Sequence, residues 1–282
     1  MSATLWAQVS VVDDLGQPLV LTQPASRIVS LAPHITENIY AVGAGALLVG
    51  AVDYSDYPEA ARTVPRVGDA FNLNIERILS LKPDLVVAWM DGTSPAQLNR
   101  LEQLGIPVLR ESPDSFSEIA RSLRRLGVLT GQAASAETAA LSLETRIERL
   151  QQRYQDRDKL SVFYQVWHQP LITANGSQLI DQIIRLCGGH NLFADRPEAA
   201  PRVNIEAVIA AAPDLILSAA RTDNSQWKKI WKPWRGIKAV QYDLLYSVNA
   251  DLLHRSTLRA VEGAEQVCTL MDQARERLKQ DA

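Results

Sequence analysis

The sequence of 282 residues lacks the features that mark nucleic-acid-binding and membrane-spanning proteins. It contains no basic tract, and its 29 Lys and Arg residues against 32 Asp and Glu residues give a net charge of −3. This balance argues against a protein that binds nucleic acid by neutralising phosphates. No apolar run approaches the roughly 18 residues that a membrane-spanning helix needs. What remains is a globular composition, 46% hydrophobic and 22% charged, whose length favours one or two domains.

The motifs of several common enzyme classes are also missing. There is no Walker A sequence and no Gly-x-Ser-x-Gly elbow. The pair Gly43 and Gly45 is followed by Leu48, where a dinucleotide-binding loop would place its third glycine. The four histidines contain no i,i+4 pair, so we expect no dedicated metal site; they are His34, His168, His190 and His254. We therefore expect a protein without catalytic residues.

Cysteine is scarce, since the chain has only Cys187 and Cys268. The two residues are either buried thiols of a reducing compartment or one disulfide of an oxidising compartment. A bridge would close a loop of about 80 residues and would stabilise the fold by about 4.5 kcal/mol on a chain-entropy estimate. The first residues show no charged region followed by an apolar core, as a signal peptide would. These residues alone do not decide between a reducing and an oxidising compartment.

An internal repeat organises the chain. The segment from Asn74 to Val87 reappears 130 positions later, from Asn204 to Leu217, with identical Asn, Ile, Glu, Pro, Asp and Leu residues. Each copy predicts a short helix, a Pro-Asp turn and a buried strand. Such a repeat indicates two α/β lobes of related design.

A long helical pattern lies between the two copies. Its apolar positions are Ala140, Leu143, Ile147, Leu150 and Tyr154, which share one face over about five turns. We therefore predict an N-terminal lobe over 1–130, a connecting helix over 131–157 and a C-terminal lobe over 158–282. The predicted fold is α/β, with two Rossmann-like lobes that carry parallel-rich sheets and are joined by one long rigid helix.

Aromatic residues make up only 6% of the chain, but several follow predicted strands. Tyr54, Trp89 and Trp167 each come at the carboxyl end of a different strand, which suggests an interlobe cleft lined for a large flat ligand. His34 follows the strand that ends at Leu31, where it either faces the same cleft or is an ordinary loop residue. A further set has helical spacing and is more typical of packing than of ligand contact: Trp227, Trp231 and Trp234.

The repeat also places Glu76 and Glu206 at equivalent positions of the two lobes. A symmetric pair of exposed anions suits docking onto a basic partner with two-fold symmetry. The alternative is a pair of glutamates that favour the positive ends of their helix dipoles.

The motifs of this chain, taken in order, resemble those of the periplasmic cobalamin-binding proteins of ABC importers. The matching segments are Arg27-Ile28-Val29-Ser30-Leu31-Ala32-Pro33, Thr36-Glu37, Tyr54-Ser55-Asp56-Tyr57-Pro58, Asn74-Ile75-Glu76-Arg77, Leu81-Lys82-Pro83-Asp84-Leu85-Val86 and Cys187-Gly188-Gly189-His190-Asn191-Leu192-Phe193, with the late Cys268. The wider group includes binding proteins for haem and ferric siderophores, and its fold is the class III periplasmic binding protein type.

The resemblance implies a binding protein that captures cobalamin or a related corrinoid in the interlobe cleft and delivers it to an ABC importer. It implies a periplasmic monomer whose signal peptide is absent from this chain, and a dimeric ABC permease of the inner membrane as partner. Cobalamin is expected as the transported ligand and not as a catalytic cofactor. Haem or a ferric siderophore is the alternative ligand. A less favoured alternative for the function is an α/β enzyme that acts in the cleft.

Several residue roles follow from the resemblance alone. Tyr54 and Trp89 match aromatic residues that contact the corrin ring, and His34 falls near the ligand. Asp251 and Arg255 match polar residues of the second lobe that face the cleft. The same resemblance assigns permease docking to Glu76 and Glu206, and a disulfide to Cys187 and Cys268.

The chain departs from this family at two ring-stacking tryptophans. Ala70 and Ala200 stand at these positions. We expect Phe71 and Trp167 to restore part of the lost apolar contact with the ligand.

Overall fold

The computed structural model of the chain describes residues 8–69, 71–220 and 225–280. Ala70, one of the two departures from the family pattern, lies outside the described residues. The chain forms two compact units, which divide between Glu144 and Thr145.

The first unit contains a four-stranded parallel sheet and an N-terminal hairpin. Its elements are β1 (Val9–Val12), β2 (Pro18–Leu21), β3 (Ile28–Ser30), α1 (Pro33–Ala41), β4 (Leu48–Ala51), α2 (Ile75–Ser80), β5 (Leu85–Trp89), α3 (Pro95–Gln103), β6 (Val108–Glu111) and α4 (Phe116–Thr130). The parallel strands follow the order β4-β3-β5-β6, whereas β1 and β2 pair antiparallel. Strands β3 and β5 are buried on both faces, as parallel strands covered by helices are.

The second unit repeats this plan. Its elements are β7 (Leu160–Gln165), β8 (Trp167–His168), β9 (Leu171–Ile172), α6 (Leu179–Leu186), β10 (Gly189–Asn191), α7 (Ile205–Ala211), β11 (Leu215–Ala220), α8 (Lys238–Gln241), β12 (Leu245–Asn249), α9 (Ala250–His254) and α10 (Ala260–Gln280). Its parallel sheet has the order β10-β7-β11-β12, and β8 and β9 form a small antiparallel pair. The prediction of an α/β fold with parallel sheets is confirmed.

The two copies of the repeat share their stabilising contacts. Asn74 and Asn204 each cap a helix, with the side-chain oxygen accepting from the third following backbone N–H at 2.8 and 2.9 Å. Asp84 accepts from the hydroxyl of Ser26 at 2.7 Å, and Asp214 accepts from the hydroxyl of Ser161 at 2.7 Å. Each Asp thereby holds the start of the neighbouring strand, which explains why the Pro-Asp turn recurs.

A 22-residue helix, α5 (Ala133–Tyr154), carries the boundary between the two units. It follows α4, whose Ser115 cap accepts from the backbone of Glu118 and whose end at Gly131 is left-handed. The predicted helical face is buried at Ala140, Leu143 and Tyr154. The lobe limits 1–130 and 158–282, with 131–157 as a separate connecting segment, stay predictions.

Short elements escaped sequence analysis. The two- to four-residue strands β1, β2, β6, β8, β9 and β10 were not predicted, although the equally short β3 and β4 were, because these two lie in longer apolar runs of the sequence. None of the helices in the described parts of the chain combines the length and the apolar character that crossing a membrane requires.

Candidate functional site

The first unit presents aromatic and imidazole side chains at the carboxyl ends of neighbouring strands. Trp89 ends β5, and His34 lies in the first turn of α1, directly after β3. Their rings meet edge to face, with centroids 5.5 Å apart and planes at 87°. His34 is almost completely buried, whereas Trp89 is half-buried. The histidine therefore supports the indole from behind and leaves part of it accessible.

Tyr54 follows β4 at the same edge of the sheet and points into solvent, with 68% of its surface exposed. Its backbone has a φ of 64°, in the left-handed region that residues other than glycine seldom adopt. The adjacent Ser55 is buried and fixed, since its hydroxyl bonds Thr36 at 3.1 Å and its carbonyl accepts from Arg66 at 2.8 Å. A tightly held loop thus presents an exposed aromatic ring.

Phe71 is the most exposed large apolar side chain in the described residues, at 77%. It sits in a turn that Asp69 organises by accepting from the backbone N–H groups of Phe71 and Asn72, both at 2.8 Å. These bonds lower the pKa of Asp69. Gly68 is required here, because its φ is 109° and a Cβ would lie 2.2 Å from the carbonyl oxygen of Asn72.

The second unit contains a hollow of about 400 Å³ at the carboxyl ends of its strands. We call it the strand-end hollow. Its lining in the described chain is Gln165, Val166, Trp167, His168, Ser218, Ala219, Ala220, Trp227, Ala250 and His254. The set contains the predicted ligand residue Trp167, which is 54% exposed.

Two hydrogen bonds shape the interior of this hollow. The hydroxyl of Tyr164 and Nε2 of His254 lie 2.7 Å apart, and burial raises the pKa of Tyr164. Gln165 is buried and accepts from the indole N–H of Trp231 at 2.8 Å. Both contacts fix side chains that a strand end alone would leave free to rotate.

Asp251 of α9 and Arg255, which directly follows this helix, form an ion pair at 3.3 Å. Arg255 is buried and Asp251 is half-buried. The structure therefore brings these two predicted residues together, beside the hollow-lining residues Ala250 and His254 of the same helix.

Glu76 and Glu206 are exposed, and each is the second residue of a short helix with an Asn cap. Lys82 and Ala212, which follow these helices, even share a left-handed φ of 47° and 48°. The repeated sequence thus produces the same local structure around both glutamates.

The cysteines form a disulfide between Cys187 and Cys268, which lie 81 positions apart. Both are completely buried and belong to the second unit. The bridge joins the end of α6 to α10. The predicted pairing is confirmed.

Sequence analysis missed the contributions of Gln165, Trp227 and His254. Trp227 packs in the core of its unit as expected, but it also lines the hollow. His254 ends α9, five positions after β12, so the strand-end rule that selected Trp167 did not select it. Among residues 8–69, 71–220 and 225–280, no cluster of three His, Cys, Asp or Glu side chains could hold a metal ion.

Comparison with known proteins adds independent information. The family model for periplasmic binding proteins matches residues 28–251. A vitamin B12-binding protein of Vibrio cholerae serotype O1 is 37% identical over 249 residues, covering 88% of this chain and 90% of the relative. A vitamin B12-binding protein of Yersinia pestis is 34% identical over 250 residues, covering 88% and 87%.

Comparison with solved structures agrees with the comparison of sequences. The crystal structure of the periplasmic vitamin B12 binding protein BtuF of Vibrio cholerae matches with a TM-score of 0.83 and 37% identity, covering 89% of this chain and 98% of that one. The periplasmic heme-binding protein RhuT from Roseiflexus matches with a TM-score of 0.79 at 24% identity, covering 89% and 99%. This second likeness shows a shared fold alone.

Proposed function

The chain belongs to the periplasmic binding protein family, and we propose that it captures cobalamin or a related corrinoid in the periplasm and delivers it to an ABC importer. The observation that carries the proposal is the 37% identity to a vitamin B12-binding protein across nearly the whole length of both chains. Members of this family bind substrates and are not enzymes, in agreement with the missing catalytic motifs.

The two strand-end faces supply suitable chemistry for a corrinoid. On the first unit, Tyr54, Trp89 and Phe71 offer accessible aromatic surface, supported by the buried ring of His34. Such surfaces bury the flat, apolar faces of a macrocycle. On the second unit, Trp167 adds another ring, and the partly exposed carboxylate of Asp251, paired with the buried Arg255, can accept from the amide side chains of a corrin.

We assign delivery to Glu76 and Glu206. Both are exposed on matching helices, so a permease with two equivalent basic sites would meet one carboxylate from each unit. The Cys187–Cys268 disulfide supports residence in the periplasm, an oxidising compartment where such bonds persist.

Haem is the second candidate ligand, and Tyr54 favours it, because an exposed phenol can serve as an axial ligand of haem iron. Titration of the protein with cyanocobalamin, haemin and a ferric siderophore, followed by absorption spectroscopy, separates the candidates. We expect saturable binding of cyanocobalamin alone. A Soret shift that Tyr54→Phe abolishes would instead assign the protein to haem.

A further inference from the structure

The second unit carries a cluster of cations that the proposed function does not use. Residues 226–238 lead from β11 to the start of α8 and contain no Asp or Glu. We call this stretch the basic segment. Its cations are Lys228, Lys229, Lys232, Arg235 and Lys238. They are interleaved with three tryptophans, so they form no uninterrupted basic tract, but they make a local positive charge on a chain whose net charge is −3.

Two of the three tryptophans anchor the basic segment in the core of the second unit. Trp227 and Trp231 are 5% and 0% exposed and belong to one hydrophobic cluster. The indole N–H of Trp227 donates to the hydroxyl of Ser247 at 3.0 Å, and that of Trp231 donates to the amide oxygen of Gln165 at 2.8 Å. Because both indoles are fixed from below, the remaining side chains of the segment are held at the surface.

The cations near these anchors face solvent. Lys229, Lys232 and Arg235 are exposed, and no carboxylate in the described parts of the chain forms an ion pair with any of them. Lys238 differs, since its ammonium pairs with Asp214 at 3.3 Å. Neighbouring cations without a counter-ion repel one another, so an anionic surface would both attract this segment and relieve the repulsion.

Trp234 adds an accessible aromatic ring to the same segment. Sequence analysis groups it with the packing tryptophans, but 38% of its surface is exposed. Its backbone is held on both sides, since its N–H donates to the carbonyl of Trp231 at 2.9 Å and its carbonyl accepts from the N–H of Ile237 at 3.0 Å. Tryptophan favours the interface between lipid and water, and Lys and Arg favour anionic headgroups. A soluble anion would use the cations and leave the indole without a role.

We propose that the basic segment binds the surface of an anionic lipid bilayer, with Lys229, Lys232 and Arg235 at the headgroups and Trp234 in the interface. This interaction goes beyond capture and delivery of a ligand, because it needs neither the ligand nor the permease. It holds the protein at a membrane surface through reversible contacts of one face.

Cosedimentation of the whole chain with large unilamellar vesicles tests the proposal. Vesicles of equal parts phosphatidylglycerol and phosphatidylcholine are compared with vesicles of phosphatidylcholine alone. We expect partition into the anionic vesicles to be stronger by about tenfold or more. Raising NaCl from about 50 mM to about 500 mM should release the protein, because salt screens exposed charges.

Variants of the basic segment separate the contribution of charge from that of the indole. The triple variant Lys229→Gln, Lys232→Gln, Arg235→Gln should weaken binding to the anionic vesicles about a hundredfold, since each cation near such a surface is worth about fivefold. Trp234→Ala leaves the charge unchanged and should weaken binding about threefold or more, because it removes the ring from the interface.

A second triple variant, Arg100→Gln, Arg149→Gln, Lys159→Gln, removes the same charge at exposed positions outside the segment and should change binding by less than about twofold. Equal binding to both kinds of vesicle, or an equal loss in the two triple variants, would overturn the proposal. Unchanged binding by Trp234→Ala would overturn it as well. Release from the vesicles by glycerol 1-phosphate at constant ionic strength would assign the segment to a soluble phosphate instead.

Discussion

Glu111 ends β6 with its carboxyl group almost completely buried. Burial raises its pKa to about 7, although Arg125 and the hydroxyl of Ser122, at 2.9 Å, act in the opposite direction. Arg125 is shared with Asp14, whose pKa it lowers against the effect of burial. Glu111 is therefore protonated in the folded chain at pH values where an unfolded glutamate is ionised.

This difference has a definite sign in the pH dependence of stability. The contribution of neutral Glu111 is fully present below the pKa of about 4.5 in the unfolded chain and is lost as the pH rises through 7. Relative to Glu111→Gln, the wild-type free energy of unfolding should fall by about 3 kcal/mol between pH 4 and pH 8. Urea titrations at several pH values measure this difference in the free energy of unfolding, with the exposed Glu148→Gln variant as control. A difference that is independent of pH would contradict the assignment.

Helix α10 holds the end of α6 by two contacts seven residues apart. Cys268 forms the disulfide, and the buried Arg275 donates to the carbonyls of Cys187 at 2.6 Å, Gly188 at 3.2 Å and Asp158 at 2.8 Å. The last carbonyls of a helix lack intrahelical partners, so the guanidinium supplies a donor to the carbonyl of Cys187 at the end of α6. The Gly188 carbonyl also accepts from the backbone N–H of Leu160 at 3.3 Å.

We expect Arg275→Met to lower the free energy of unfolding by about 2 to 3 kcal/mol, because it removes the side-chain donor from the carbonyls of Cys187 and Asp158. Guanidinium denaturation of the oxidised protein measures the loss. Arg149→Met, at an exposed position of α5, should change it by less than about 0.5 kcal/mol. An equally small effect at Arg275 would show that water replaces the guanidinium.

Reduction of the disulfide should also lower the free energy of unfolding. The bridge closes a long loop within one unit, and its removal typically costs about 2 to 5 kcal/mol. We expect the double variant Cys187→Ala, Cys268→Ala to unfold at a lower denaturant concentration than the oxidised wild type and to resemble the reduced protein. Coincident curves for the oxidised and reduced wild type would contradict a stabilising role.

The extent of prediction from sequence also varies with the element. The repeated helix and strand were predictable, because the Asn cap and the buried apolar run act within about ten residues of one another. The strand-end hollow was not, because its hydrogen bond between Tyr164 and His254 joins residues 90 positions apart. The burial of Glu111 likewise depends on α4 and the N-terminal hairpin, which carry Arg125 and Asp14.

For the whole molecule, we propose that delivery of the ligand depends on other residues than its capture does. Reversal of both proposed docking charges, Glu76→Lys with Glu206→Lys, should abolish ligand transfer to the importer, because the positive charges introduced in place of the two carboxylates would repel basic sites of the permease. The affinity for ligand should stay within twofold, since both glutamate side chains are exposed and lie at the starts of short helices. Uptake into vesicles that contain the permease measures ligand transfer, and calorimetry measures the affinity for ligand.

The pair Glu148→Lys with Glu276→Lys changes the net charge equally at exposed positions and serves as control. It should leave uptake unchanged. Equal loss of uptake in both double variants would attribute the effect to net charge and remove the docking role from Glu76 and Glu206.

Calorimetric titration of the oxidised protein with cyanocobalamin shows whether this chain binds a corrinoid. We expect one site per chain and a dissociation constant below about 1 µM. Trp89→Ala should weaken that binding at least tenfold, because it removes the indole that His34 supports. No measurable binding of cyanocobalamin at tens of micromolar, by a protein that is folded and disulfide-bonded, would contradict corrinoid binding by this chain.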